Sequence, residues 1–160
     1  MRLSVKLKFW FFEHYWWVLC LLLLLTVTVL LWRSESVTTI ATVAGAILSA
    51  IYFIQKQKLE ELRLFRELFK EFNERYDGLN EKLARIVEAK ESMVSVVERE
   101  MLIDYFNLCG EEYLYVQQGY IYPSVWTAWH NGMKAIVSVP RVHRVWVVEN
   151  ETGSYYGLPL

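Results

Sequence analysis

Few residues in this chain have both the type and the spacing to do chemistry. Past the first fifty positions the only histidines are His130 and His143, thirteen apart, with no cysteine or carboxylate at the spacing of a zinc site. Asp104 and the pair Glu111-Glu112 fall one to two helical turns apart. They have the oxygen donors of a divalent-cation site, although a pair of this kind is ordinarily a solvated face. Ser95 and Ser138 have no His and Asp in readable arrangement. Lys134 follows no glycine-rich phosphate loop, and no arginine precedes His14, His130 or His143 at the spacing of a helical ribonuclease. Cys20 and Cys109 are the only thiols; two so far apart make no disulfide framework and fit a reducing compartment. The sequence predicts no catalytic residue, no metal and no cofactor, and a protein that is not an enzyme.

What these residues lack in pattern, the elements around them supply. Tyr15 to Trp32 and Ser36 to Gln55 contain no Asp, Glu, Lys or Arg, and only Arg33-Ser34-Glu35 separates them. About 20 helical residues cross a bilayer core roughly 30 Å thick, and a helix satisfies its own backbone inside lipid. The expectation is a transmembrane helical hairpin over 15–55 behind an interfacial segment, 1–14. There the run Phe9-Trp10-Phe11-Phe12 forms a short helix at the headgroups. The Leu30-Leu31-Trp32-Arg33 end offers no small-residue cleavage site, so the first span is not read as a signal peptide.

Charge sets sidedness. Arg2, Lys6 and Lys8 precede the first span, and Lys56, Lys58, Arg63, Arg66 and Lys70 follow the second, while the turn holds only Arg33. By the excess of Lys and Arg on the inner side, both termini face the cytoplasm of a bacterial inner-membrane protein. Trp10, Tyr15, Trp16, Trp17 and Trp32 read as interfacial anchors. Residues 56–160 carry 13 basic and 16 acidic side chains. A part with this acidic balance argues against a nucleic-acid partner bound through phosphate neutralisation.

The spans differ in kind. The first is Leu-rich all round and suits lipid. The second carries Ala41, Gly45 and Ser49 four residues apart, on one face that permits close helix approach. That face either joins copies into a homo-oligomer, with or without a pore, or packs on the first span of the same chain. Neither span has an ionisable residue at its centre, which argues against an ion-coupled carrier.

No Pro or Gly occurs between Ala46 and Asp77, so the second span continues as a long cytoplasmic helix over 56–90. Its seam is Leu62, Phe65, Phe69, Phe72, Tyr76, Leu79, Leu83 and Ile86 in alternating steps of three and four. The seam serves either as the core face of a helical domain or as a parallel multimeric coil. Gly78 within it marks a bend or a close contact. Residues 91–160 form a small helical domain: one helix through Tyr105, Leu108, Glu112 and Val116 stopped by Gly119, a second begun by Pro123, a short third from Arg141 to about Glu149, and an irregular tail. Val145 to Val148 also suits a strand. The aromatic group Tyr113, Tyr122, Trp126 and Trp129 is either core or a partner surface. The fold class expected is all-α.

The blocks Leu64-Phe65-Arg66-Glu67-Leu68-Phe69 with Phe72 to Leu83, Asp104 to Leu114, Gly119-Tyr120-Ile121-Tyr122-Pro123, and Trp126-Thr127-Ala128-Trp129 resemble a family of uncharacterised small bacterial two-span membrane proteins with a helical cytoplasmic domain. In layout the chain is also similar to the membrane effectors of phage-defence systems. The family carries no assigned activity or catalytic residues. These features together lead to the expectation of a protein that meets lipid, self-associates and uses its cytoplasmic domain to sense an unidentified protein or small ligand, as a membrane-perturbing or pore-forming defence effector. The alternative is a monomeric membrane-anchored adaptor for a cytoplasmic partner.

Overall fold

With no Pro or Gly between residues 3 and 32, nothing interrupts helical hydrogen bonding there, and the first helix, α1, runs unbroken over Leu3–Trp32. The computed structural model describes residues 3–91 and 93–160; Arg2, one of the basic residues used for sidedness, lies outside them. Four further helices follow: α2 Val37–Glu88, α3 Val96–Gln118, α4 Pro123–Val137 and α5 Pro140–Asn150. There is no strand among the described residues. The Val145–Val148 stretch belongs to α5. The all-α expectation holds. The chain forms two compact units, one ending at Arg63 and the other Leu64–Leu160.

In the first unit α1 and the beginning of α2 make the hairpin. Both α1 and α2 contain a stretch long and apolar enough to cross a membrane. The turn closes as a Schellman motif: Ser34 takes a left-handed φ of 57°, its N–H donates to Leu31 O, and the Glu35 N–H donates to Leu30 O. Ser36 then caps α2, its hydroxyl oxygen accepting from the Thr39 N–H at 3.2 Å. At the far end Lys8 pairs with Glu61 at 2.9 Å, and Lys58 donates to the Phe12 carbonyl at 2.9 Å while lying 5.5 Å from the Tyr15 ring.

These contacts revise the segment ahead of Tyr15. It is not a separate short helix but the first turns of α1, held against α2. Tyr15 is 4% exposed and packed inward, unlike Trp10, Trp16, Trp17 and Trp32, which remain exposed. Thr26 and Thr28 donate their hydroxyls to Leu22 O and Leu24 O within α1.

In the second unit the remainder of α2 supplies one wall of the core. The buried seam is Leu68, Phe72, Leu83 and Ile86, with Phe65, Tyr76 and Leu79 half-buried beside them. Leu68, not Phe69, fills the seam position. Phe69 lies at the margin, its ring stacked on Trp129 at 5.7 Å between centroids. The face is occupied by side chains of α3 and α4, such as Tyr105, Leu108, Met133 and Trp129, so it is a core face and not a free coil seam. A Cβ at Gly78 would meet nothing within 4 Å, and α2 continues through it. Close contact is therefore not its reason, and Gly78→Ala is expected to stabilise the fold by about 0.5–1 kcal/mol. A higher thermal midpoint of the full chain in detergent would register it.

Local signals start and stop the other helices. Ser95 and Glu98 form a capping box at α3, and Gly119 ends that helix at φ 77°. Pro123 and Pro140 occupy first-turn positions of α4 and α5. The irregular tail is nevertheless part of the core: Tyr155 and Leu158 are each 3% exposed. Tyr155 lies over Gly110, where a Cβ would come 3.4 Å from the Tyr155 Cα. The segment is strapped down by Gln117 donating to Tyr156 O at 3.1 Å and His130 Nε2 donating to Pro159 O at 2.7 Å.

Candidate functional site: a buried carboxyl in an aromatic cavity

On α3, Tyr105, Leu108, Cys109, Glu112 and Val116 recur at steps of three and four and point into the domain. Four are apolar or amphipathic; Glu112 is a carboxylic acid. It is 6% exposed and lines a cavity of about 210 Å³. Asn73 and Tyr76 of α2, Tyr105 and Cys109 of α3, and Ala128, Trp129 and Gly132 of α4 complete the lining used below. Helix periodicity alone places the α3 residues together; the walls from α2 and α4 arrive only through tertiary packing.

Electrostatics in the cavity follow from burial. Loss of water pushes the Glu112 carboxyl up to about 8, with Glu111 adding to the rise and Arg75 opposing it. Burial likewise raises the Tyr105 hydroxyl and the Cys109 thiol well above their ordinary values, and the two groups hydrogen bond to one another. Tyr76 is raised by the same cause. Arg75, the nearest cation, donates to Glu111 at 2.5 Å and lies 3.8 Å from Glu71. That pairing, above all the Glu111 hydrogen bond, raises its own pKa.

The three carboxylates that sequence spacing brought together are thus separated by the fold. Asp104 is exposed, Glu111 holds Arg75, and Glu112 turns inward. Among the described residues no group of three His, Cys, Asp or Glu side chains has the geometry of a metal site. The serines and one histidine of the sequence analysis have structural work instead. Ser95 caps α3, Ser138 donates to Ala135 O at 2.7 Å, and His130 stacks on Trp126 at 4.9 Å while holding the tail. His143 and Lys134 are exposed.

The predicted aromatic residues are brought together. Tyr113 packs on Trp126 at 5.4 Å, Tyr122 meets Phe65 edge-on at 4.6 Å, and Trp129 contacts Phe69 and Phe72. Trp126 and Trp129 are half-buried against the core. In the hairpin, by contrast, Ala41, Gly45 and Ser49 are all exposed, and the covered side of α2 is lined by Ile40, Val43, Ile47, Ile51 and Ile54. A Cβ at Gly45 would meet nothing within 4 Å. The Ser49 hydroxyl donates to Gly45 O at 2.9 Å.

Glu112 gives stability a pH dependence with a definite sign. Its folded-state pKa lies above the ordinary 4.5, so the folded state holds the proton more tightly. The stabilisation is complete below about 4.5 and is lost as pH rises toward about 8. Thermal midpoints are expected to fall across that window. The slope reaches at most about 1.4 kcal/mol per pH unit, and Glu112→Gln should flatten it. An unchanged slope in the Gln variant would assign the pH dependence elsewhere.

Compared with protein-family models, curated proteins and solved structures, the chain matches none of them.

Proposed function

We propose that this chain is a two-span bacterial inner-membrane protein, with both termini in the cytoplasm, that self-associates in the bilayer. Its helical unit, Leu64–Leu160, senses a small ligand or a protein partner, and the assembled spans perturb the membrane as a defence effector. It acts by binding and assembly and not as an enzyme. The observation that carries this reading is the open face of Ala41, Gly45 and Ser49: α1 covers the isoleucine side of α2 and leaves the small residues uncovered. Backbones approach closely at such faces, and in lipid that contact is what drives helices together. The excess of Lys and Arg outside the turn supports the sidedness. The similarity in layout to phage-defence membrane effectors supports the biological role.

The alternative, a monomeric anchor presenting Trp126 and Trp129 to a partner, draws less support, because both rings are half-buried against the core. Light scattering of the detergent-solubilised protein and dye release from liposomes containing it separate the two. A multimer that releases dye is expected. A single chain in intact vesicles would leave the adaptor as the better account. A reporter fused after Leu160 should be active only in the cytoplasm.

A further inference from the structure

Glu112 has no counterpart inside the protein. The residue is 6% exposed, and among the described residues no group donates a hydrogen bond to its carboxyl. Its oxygens are not sealed off but reach the cavity, so a water or a ligand there can complete a carboxyl that is otherwise costly to charge. Arg75 is taken up by Glu111 at 2.5 Å. The Asn73 amide gives one of its two N–H groups to Phe69 O at 2.6 Å, and as a neutral group it supplies no charge. The Tyr105 hydroxyl is engaged by Cys109. Apart from neutral donors, the cavity therefore offers the Glu112 carboxyl and the faces or edges of Tyr76, Tyr105 and Trp129, with no cation in its lining. Aromatic walls around a carboxyl favour a positive charge that carries apolar groups.

Gly132 adds an independent observation. It stands inside α4, where glycine is unfavourable relative to alanine, and a Cβ built there would meet nothing within 4 Å. Ala128, one turn earlier, lines the same cavity. These small residues of α4, both exposed, thus leave the cavity open along their side. At about 30 Å³ per water, the cavity of about 210 Å³ would hold on the order of seven waters, which corresponds to a ligand of similar heavy-atom count.

We infer that the Glu112 cavity is a binding site for a small organic ammonium ion, its charged nitrogen against the Glu112 carboxylate and its carbon groups against Tyr76, Tyr105 and Trp129. This names the ligand class for the sensing role proposed above and rests on that reading. Binding an ammonium requires Glu112 to release its proton, so cation and proton compete. The groups that bear on this are Arg75 and Tyr76 from α2 and Tyr105, Cys109 and Glu111 from α3; α4 contributes no titratable residue to the lining. Arg75 and Glu111 neutralise one another, and the tyrosines and the thiol, all raised, stay uncharged below pH 9. Glu112 alone then sets the pH dependence.

Titration calorimetry of the full chain in maltoside detergent tests this with choline and with 3,3-dimethylbutan-1-ol, which has the same shape and no charge. Choline is expected to bind and the alcohol to bind at least about tenfold more weakly. Choline affinity should rise up to about tenfold per pH unit between pH 6 and 8. Glu112→Gln should weaken choline about tenfold or more and remove the pH dependence, while Gly132→Leu fills the cavity and abolishes binding. A retained cooperative unfolding transition would show that both variants still fold. Equal binding of the two probes, or no choline binding at 10 mM, overturns the inference, as does a Gly132→Leu protein that binds normally. Competition by phosphatidylcholine nanodiscs identifies a lipid headgroup as the source of the cation, and its absence a free one. Light scattering on the same samples keeps the two proposals apart: a single chain that binds choline refutes only the assembly, and a multimer indifferent to choline refutes only this site.

Discussion

Gly45→Leu is expected to disrupt the proposed self-association, shifting the protein toward single chains in detergent and reducing the proposed dye release. The size of the effect follows from the space around the site. Within its own chain Gly45 faces nothing, since a Cβ there finds no atom within 4 Å, and the side of α2 packed on α1 is the isoleucine side. A leucine is therefore accommodated by the hairpin itself and even raises helix propensity. Between two copies the same leucine holds the backbones apart at the closest point of approach. Close backbone packing is what drives helix association in lipid, so association should weaken on the order of tenfold or more, about 1.4 kcal/mol or more. Gly45→Ala, which keeps the residue small, should have a much milder effect. A Gly45→Leu protein with unaltered mass in detergent and unaltered cross-linking would remove this face from the assembly.

Arg141→Met is expected to lower the thermal midpoint of the protein more than any other single substitution considered. Arg141 is 5% exposed, and its guanidinium donates to Ile86 O at 3.2 Å, Met93 O at 2.7 Å and Glu98 at 3.0 Å. One side chain thus joins the last turns of α2, the connection that follows and the first turn of α3. Glu98 is held below the usual carboxylate range, first by the Ser95 backbone N–H and then by Arg141. Methionine fills much of the volume but leaves two carbonyls without a donor and Glu98 without its cation. Removing one member of a buried ion pair costs about 3–5 kcal/mol. Because the Glu98 side chain keeps 29% of its exposure, the lower end applies. About 3 kcal/mol in a domain of this size lowers the midpoint by roughly 15 °C. Arg141→Lys should recover less than half, since an ammonium cannot reach all three acceptors with the fork of a guanidinium. A drop of only a few degrees in Arg141→Met would show that water replaces the guanidinium at these carbonyls.

Much of the architecture was readable from local chemistry. The two uncharged stretches around Arg33-Ser34-Glu35, the stop at Gly119, the start at Pro123 and the break at Val139-Pro140 are signals that act within a few residues. The structure has helices ending and beginning at those places. The Ser95-x-x-Glu98 capping box was equally visible and is a local signal that the reading of motifs for catalysis passed over. Where the reading went astray, neighbours decided. Phe69 and Leu68 both satisfy a seam of threes and fours, and only the arrival of Tyr105, Leu108 and Trp129 on α2 selects Leu68 for the interior. Glu112 was placed on the inner side of α3 by its spacing and also grouped with Glu111 and Asp104 as a solvated acidic cluster. Both statements came from one-dimensional order, and the fold keeps the first.

The amino-acid order by itself determined that the chain is helical, where its helices stop, and which two of them are apolar enough to lie in lipid. These properties depend on hydrogen bonding and side-chain pattern within a few turns. Tertiary structure decided which side of α2 stays open in the hairpin, that Arg141 links three segments, and that Glu112 ends in a cavity with aromatic walls. Each of those depends on atoms far apart in sequence, whose meeting is set by how close-packed side chains share space and not by any residue's own preference.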